Sequence, residues 1–333
     1  TEGVTQAARA RMALTELGTT FIKLGQMLST RADLLGPELT EELSQLQANV
    51  PPDAADVARA TIEQELGHPI DELFAQFDDE PLAAASVAQV HAALLHTGQS
   101  VVVKVRRAGV AEQAATDLEI VQALAELLEK HSPALRAYQP LAVVRQFRRT
   151  LLRELDFSYE RQNLEEFARN FADDPTVCIP EVFSDLCSHQ VVTMEHLEGI
   201  IGADTETLQR SGEDLGEFAK RGANMYLEMV FRDGFYHADP HPGNLMLLPG
   251  NVVGVIDCGM VGRLSPAMKD RLIDILNAVL NEDVEQLARC FYALAIPSGK
   301  VNYSAFEADA IEIAERYLGG VPLSEIQIGT LFG

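Results

Sequence analysis

Leu14, Leu17, Phe21, Leu24 and Leu28 recur at steps of three and four residues, which lays one apolar stripe along a helix. At about 100° per residue, Thr19, Lys23, Gln26 and Thr30 fall on the opposite face. The stretch NVPPDA (Asn49 to Ala54) breaks the helical pattern, and GHP (Gly67 to Pro69) breaks the next segment. From about Phe74 the texture changes. VAQVHAALL and SVVVKVRR are short, rich in Val and separated by the turn-prone HTGQS, which predicts an antiparallel pair of strands. EQAATDLEIVQALAELLEK reads as a helix, as does the whole of LAVVRQFRRTLLRELDFSYERQNLEEFARNF. CIPEVFSDLCSHQVVTMEHLEG predicts two further strands, and beyond Gly199 the pattern is mainly helical. One small hairpin interrupts it, with NLMLL and VVGVI flanking the turn PGN. The expected organisation is α+β and two-lobed: residues 1–73 a helical extension, 74–198 a smaller lobe with a sheet, and 199–333 a larger helical lobe.

Charge narrows the partners. Fifty acidic residues against 26 basic ones give a formal net charge of −24. Such a surface repels phosphate backbones, so nucleic acid is not an expected partner. VKVRRAGV and RQFRRT are short and sit beside acidic stretches, so neither predicts a basic patch. The same charge argues against simple electrostatic docking to anionic lipid, and membrane contact would need an apolar face or an anchor. Cys178, Cys187, Cys258 and Cys290 show no CxxC pairing, which fits a reducing, cytoplasmic compartment. No apolar run approaches the roughly 18 to 20 residues of a membrane span, so the expected location is cytoplasmic or peripheral at the inner face of the membrane. The chain opens at Thr1 rather than Met, and so reads as a segment of a longer protein.

The densest chemistry lies in FYHADPHPGNLMLLPGNVVGVIDCG, Phe235 to Gly259. His237, Asp239 and His241 alternate as metal ligands on an extended segment would. Pro240 and Pro242 restrict that backbone, however, and no distant His or Cys completes the set, so the two histidines are expected to be scaffold residues bonding to the loop backbone. Phosphate transfer accounts for more of the stretch. Asp239 and Asn244 have the D-x-x-x-x-N spacing in which Asp faces the acceptor hydroxyl and Asn holds a metal ion. Asp257 and Gly259 follow a Val-rich strand as Asp-x-Gly, where the Asp binds Mg²⁺ on the phosphates. Asn244 and Asp257 would sit on the two arms of one hairpin, and few hard oxygen ligands suit Mg²⁺.

A phosphate-transfer site also needs a lysine on a strand. Lys104 in VVVKV fits, because an ammonium within a buried Val run needs an anionic partner. The alternative is an edge-strand lysine pointing outward. ELDFSYERQN offers the partner: Asp156 and Glu160 are i,i+4 on a helix, with Asn163 nearby, and Glu154 lies off that face. Spacing favours Glu160; Glu154 joins only if the helix begins after it. A Gly-rich phosphate loop is missing. PLAAASVAQVH stands in its place, where Ala83, Ala84, Ala85 and Ser86 could offer backbone N–H groups to an anion from a stiffer loop.

These residues together resemble the UbiB/AarF family of atypical, protein-kinase-like kinases, a family linked to isoprenoid quinone biosynthesis. The likeness runs from FIKLGQMLSTRADLLGPEL to beyond GMVGRL, with KLGQ matching K-x-G-Q, AAAS the Ala-rich loop, ELD the E-x-D motif and ADPHPGN the catalytic loop. It implies a kinase-like fold using ATP and Mg²⁺, with Lys104, Glu160, Asp239, Asn244 and Asp257 in the kinase roles. It further implies that Lys23 and Gln26 project from the N-terminal helices toward the active site, with Glu154 and Asp156 holding that element. A helix so placed obstructs a peptide acceptor, so the implied substrate is water or a small lipid-like molecule, with membrane lipid and quinone-pathway enzymes as partners. The alternative is a nucleotide-gated scaffold with negligible turnover. Cys258 departs from the usual Asp-Phe-Gly and removes its aromatic packing, while the metal role of Asp257 should survive.

Overall fold

The computed structural model describes residues 5–46, 51–132, 136, 138–281, 283–294 and 305–306. The helices are α1 (Gln6–Leu17), α2 (Thr19–Ser29), α3 (Ala32–Leu35), α4 (Pro37–Ser44), α5 (Ala55–Leu66), α6 (Ile70–Leu73), α7 (Val110–His131), α8 (Pro140–Glu154), α9 (Phe157–Asn170), α10 (Thr205–Arg210), α11 (Leu215–Leu227), α12 (Pro266–Leu280) and α13 (Val284–Leu294). The strands are β1 (Gln76–Phe77), β2 (Ala83–Ala84), β3 (Ala88–Leu94), β4 (Ser100–Arg106), β5 (Val177–Cys178), β6 (Val191–Glu195), β7 (Ile200–Ile201), β8 (Phe235–His237), β9 (Leu245–Leu248), β10 (Val252–Val255) and β11 (Val261–Arg263). The chain divides into two compact units, one of residues 1–225 with 237–261 and the other of 226–236 with 262–333. The second unit contains α12 packed along α13, and Arg263 lies over the Phe235 ring at 4.4 Å.

The first unit holds two sheets. In the larger one the order is β1-β3-β4-β6, with β2 paired to β3. β4 is therefore an inner strand. Val101, Val103 and Val105 alternate toward one face and pack with Ala58 and Ile62 of α5, Ile70 of α6, Phe74 and Val191. Helices α5 and α6 thus share the sheet's core. In the smaller sheet the order is β5-β10-β9-β7. The β9–β10 hairpin turns through the three residues Pro249, Gly250 (φ 75°) and Asn251 (φ 59°), the last two in the left-handed region that glycine and asparagine tolerate.

Two expectations change. The leucine stripe is not one helix, because Gly18 (φ 97°) separates α1 from α2 and leaves Leu17 56% exposed. Phe21 of α2 instead packs with Val121 and Ala125 of α7 and Val144 of α8. The long helix expected over 141–171 is broken at Asp156, which is extended (φ −111°, ψ 99°) and caps α9 by accepting the Ser158 N–H at 3.0 Å. The N–H of Phe157 leaves the helical ladder and donates to the His189 carbonyl at 3.0 Å. The short basic run, in addition, has an exposed side. Helical spacing brings Arg145, Arg148, Arg149 and Arg153 to the exposed face of α8, which carries no acidic residue before Glu154.

Close packing explains the glycine of KLGQ. A Cβ at Gly25 would stand 2.3 Å from Leu46 Cδ1 and 2.9 Å from Leu14 Cδ1, both within the small core around Ile22 and Leu43. Gly25→Val should cost about 1–3 kcal/mol through overpacking. Urea denaturation measures it, and an unchanged midpoint would mean that the two leucines move aside freely.

Candidate active site

Lys104 points away from the α5–α6 core, as alternation along β4 requires, and meets α9. Its Nζ donates to Glu160 Oε1 at 2.7 Å and Oε2 at 2.8 Å, and to Asp257 Oδ2 at 3.4 Å. The side chains of Lys104 and Glu160 are 14% and 5% exposed, and the ammonium lies 5.5 Å from the Phe157 ring centroid. Burial alone would pull the ammonium toward neutrality, but the carboxylates of Asp257 and Glu160 outweigh it and raise its pKa. Glu160 is lifted above the ordinary carboxylate range by burial, against the pull of Lys104. Asp257 moves the other way. Lys104 holds its carboxyl below the usual range, with the Gly259 N–H adding to the effect, so it is ionised at neutral pH.

Helix α9 presents Glu160 for a readable reason. Phe157, Glu160, Leu164 and Phe167 share its buried face, and the three apolar side chains contribute about 1.5–3 kcal/mol each in fixing the helix. Asn163 also lies on that face, 8% exposed, and its Nδ2 donates to the Cys258 carbonyl at 2.8 Å. That contact ties α9 to the Asp257–Gly259 segment. Sequence reasoning missed it, although an amide on a buried apolar face is itself a signal of a hidden partner. Cys258 is fully buried, and burial lifts its thiol well up, which leaves it inert.

The loop after β8 is held by its histidines. His237, 4% exposed, donates from Nε2 to the Asp257 carbonyl at 2.6 Å and accepts the Asp239 N–H at Nδ1, 3.1 Å away. His241 Nδ1 accepts the Gly243 N–H at 2.9 Å. With both nitrogens of His237 in use, the metal set of His237, Asp239 and His241 does not form; among the described residues no three His, Cys, Asp or Glu side chains converge as ligands. Asn244 Nδ2 donates to the Asp239 carbonyl at 3.0 Å, and Ile256 N–H donates to the Asn244 carbonyl at 3.0 Å. Asp239, Asn244 and Asp257 thus share one hydrogen-bonded frame. The Asp239 carboxylate is exposed and makes no hydrogen bond or ion pair among the described residues. Gly202 also belongs to this frame: a Cβ there would come within 2.7 Å of the Pro242 carbonyl oxygen.

The donor set fits Mg²⁺. Asp257 supplies an ionised carboxylate, and with its nitrogen engaged Asn244 retains its amide oxygen, giving two hard ligands for a cation whose shell phosphates and water complete.

The ABC1 atypical kinase-like domain matches residues 45–291. The chain belongs to that family. It is 40% identical to a protein of Aeromonas hydrophila subsp. hydrophila named probable protein kinase UbiB, over 98% of this chain and 61% of that protein. A Pseudomonas fluorescens protein of the same name is also 40% identical, over 98% and 62%. The chain thus spans about three fifths of the length of these relatives. Among solved structures it resembles Rv3197 of Mycobacterium tuberculosis, determined in complex with erythromycin, with a TM-score of 0.61 and 26% identity over 89% of this chain and 74% of that one. The fold is accordingly α+β and kinase-like.

The family's signature residues lie as follows. Lys23 forms an ion pair with Glu154, whose charge in turn pushes the Glu160 carboxyl further up. Glu154 therefore pairs with the K-x-G-Q lysine and not with Lys104. Gln26 donates to the Leu46 carbonyl at 2.9 Å, and Asp156 is the α9 cap. In the Ala-rich stretch, Ala83 and Ala84 form exposed β2, Ser86 is buried, and the Ala85 N–H is spent on the Ala88 carbonyl at 2.8 Å.

Removing Lys104 should expose the cost of burying Glu160. Lys104→Met is expected to lose about 3–5 kcal/mol near neutral pH, with much of it recovered in Lys104→Met/Glu160→Leu. A carboxyl with a raised folded pKa is most favourable in acid and loses that advantage as pH rises past its unfolded value of about 4.3. The deficit of Lys104→Met should therefore shrink as pH falls toward that value. Urea denaturation across pH measures it, and a flat deficit contradicts the buried-charge account.

Proposed function

We propose that the chain binds MgATP and transfers the γ-phosphoryl group to water or to a small lipid-like acceptor. The observation that carries this reading is the contact of Lys104 with both Glu160 and Asp257, on the same frame as Asp239 and Asn244. Lys104 binds the phosphates as a cation fixed by Glu160. Mg²⁺, when held by Asn244 and Asp257, supplies charge neutralisation across the phosphates. Asp239, with its carboxylate free, orients the acceptor hydroxyl and takes its proton as the new O–P bond forms and the bond to ADP breaks.

The link to isoprenoid quinone biosynthesis or lipid handling rests on the UbiB relatives. A small acceptor, rather than another protein, is supported by the helix carrying Lys23, which is joined to Glu154 beside α9. Among the described residues no helix is long and apolar enough to cross a membrane, and contact with lipid in this reading is peripheral. One observation favours a nucleotide-gated scaffold instead: the Ala85 N–H closes its own hairpin and is not offered to a phosphate.

Phosphate release from MgATP distinguishes the two, measured with and without lipid vesicles and with nucleotide binding followed separately. Asp239→Asn should lower release by about 10²–10⁴-fold while binding persists. Release that Asp239→Asn leaves untouched, or binding without any release above that variant, would favour the scaffold.

A further inference from the structure

Glu65 lies on α5, outside the residues that would touch nucleotide, with its side chain only 10% exposed. Among the described residues no lysine or arginine forms an ion pair with it. Its carboxylate instead meets three consecutive residues of one loop: Ser188 Oγ donates at 2.7 Å, Gln190 Nε2 donates at 2.7 Å, and His189 Nδ1 stands 3.1 Å away. Gathering three side chains of a tripeptide onto one buried carboxylate fixes that tripeptide closely, because releasing it would leave the carboxylate desolvated and unpaired.

The tripeptide holds both halves of the buried ion pair. The His189 carbonyl accepts the Phe157 N–H at 3.0 Å, at the first residue of α9 and one turn before Glu160. The Gln190 carbonyl accepts the Arg106 N–H at 2.8 Å, two residues beyond Lys104 on β4. Arg106 Nη1 also donates to the Leu155 carbonyl at 2.7 Å, closing β4 onto the α8–α9 junction. Ser188 Oγ accepts the N–H groups of Gln190 and Val191, at 3.0 and 3.1 Å, and so sets the loop's own shape.

We infer that Glu65 is a positioning residue for the Lys104–Glu160 pair. It locks the loop 188–190, and the loop sets the end of β4 against the start of α9, so the separation of the two charges depends on a carboxylate from α5. This concerns the geometry of the pair and stands whether or not ATP is turned over, so its failure is separable from failure of the proposed activity.

The test reads Lys104 directly, without nucleotide. Folded protein is treated briefly with an amine-acylating reagent, and modification of Lys104 is compared with that of exposed Lys220 by peptide mass mapping. In the wild type Lys104 should be strongly protected. In Glu65→Ala its relative labelling should rise by about tenfold, the scale of coupling between groups in one network. Glu65→Gln, which keeps part of the hydrogen bonding, should fall between. Ile62→Val, one turn earlier on α5 and fully buried, controls for a general loss of stability and should leave Lys104 protected. If Glu65→Ala does not fold, Ser188→Ala and Gln190→Ala replace it, each removing one donor, with a smaller rise expected. Lys104 labelling equal to wild type in the folded variants overturns the assignment. An equal rise in Ile62→Val overturns it as well.

Discussion

A largely buried ammonium cannot be left alone, and the Lys104 side chain is only 14% exposed. Much of the first unit is arranged around that constraint. An inner strand carries the cation, a helix packed by Phe157, Leu164 and Phe167 brings Glu160, and a hairpin brings Asp257. Each element has its own apolar reason to lie where it does, and the charges meet because those packings are satisfied together. Glu160 itself is held at a cost, since burial disfavours its carboxylate. Such a pair serves precise placement of a cation better than it serves stability.

The loop between β8 and β9 answers a different demand. The Asp239 carboxylate makes no hydrogen bond or ion pair among the described residues, so the rigidity of the loop comes from elsewhere. His237 supplies it from beneath, joining the Asp239 N–H to the Asp257 carbonyl through one ring. Asn244 closes the other side through the Asp239 carbonyl. Neutral imidazole suits this role because it offers one donor and one acceptor at a fixed separation. Gly202 leaves room for the Pro242 carbonyl to approach, and a side chain there would shift the loop.

The parts of the site carried by short motifs were legible in the sequence. Asp239 and Asn244, Asp257 and Gly259, and Lys104 within its Val run each combine a residue type with a spacing or strand context that chemistry constrains. Contacts between distant segments were not legible. The Glu154 of ELD looked like a rival to Glu160 until Asp156 broke the helix and turned Glu154 toward Lys23. Asn163, Gly202 and Glu65 carry no motif, and their importance lies wholly in what faces them.

The sequence by itself marked the Val-rich strand pair, the later hairpin and the main helical stretches, the acidic charge, and which side chains could handle a phosphate. Periodicity and composition record those facts locally, because each residue's preference is set by its near neighbours. Only the tertiary structure decided that Lys104 lies inside rather than at an edge, that four arginines share one face of α8, and that a loop from residues 188–190 holds both ends of the ion pair. Those outcomes depend on segments up to about 150 residues apart satisfying the same buried polar atoms, a condition imposed by burial and hydrogen bonding and not by local pattern.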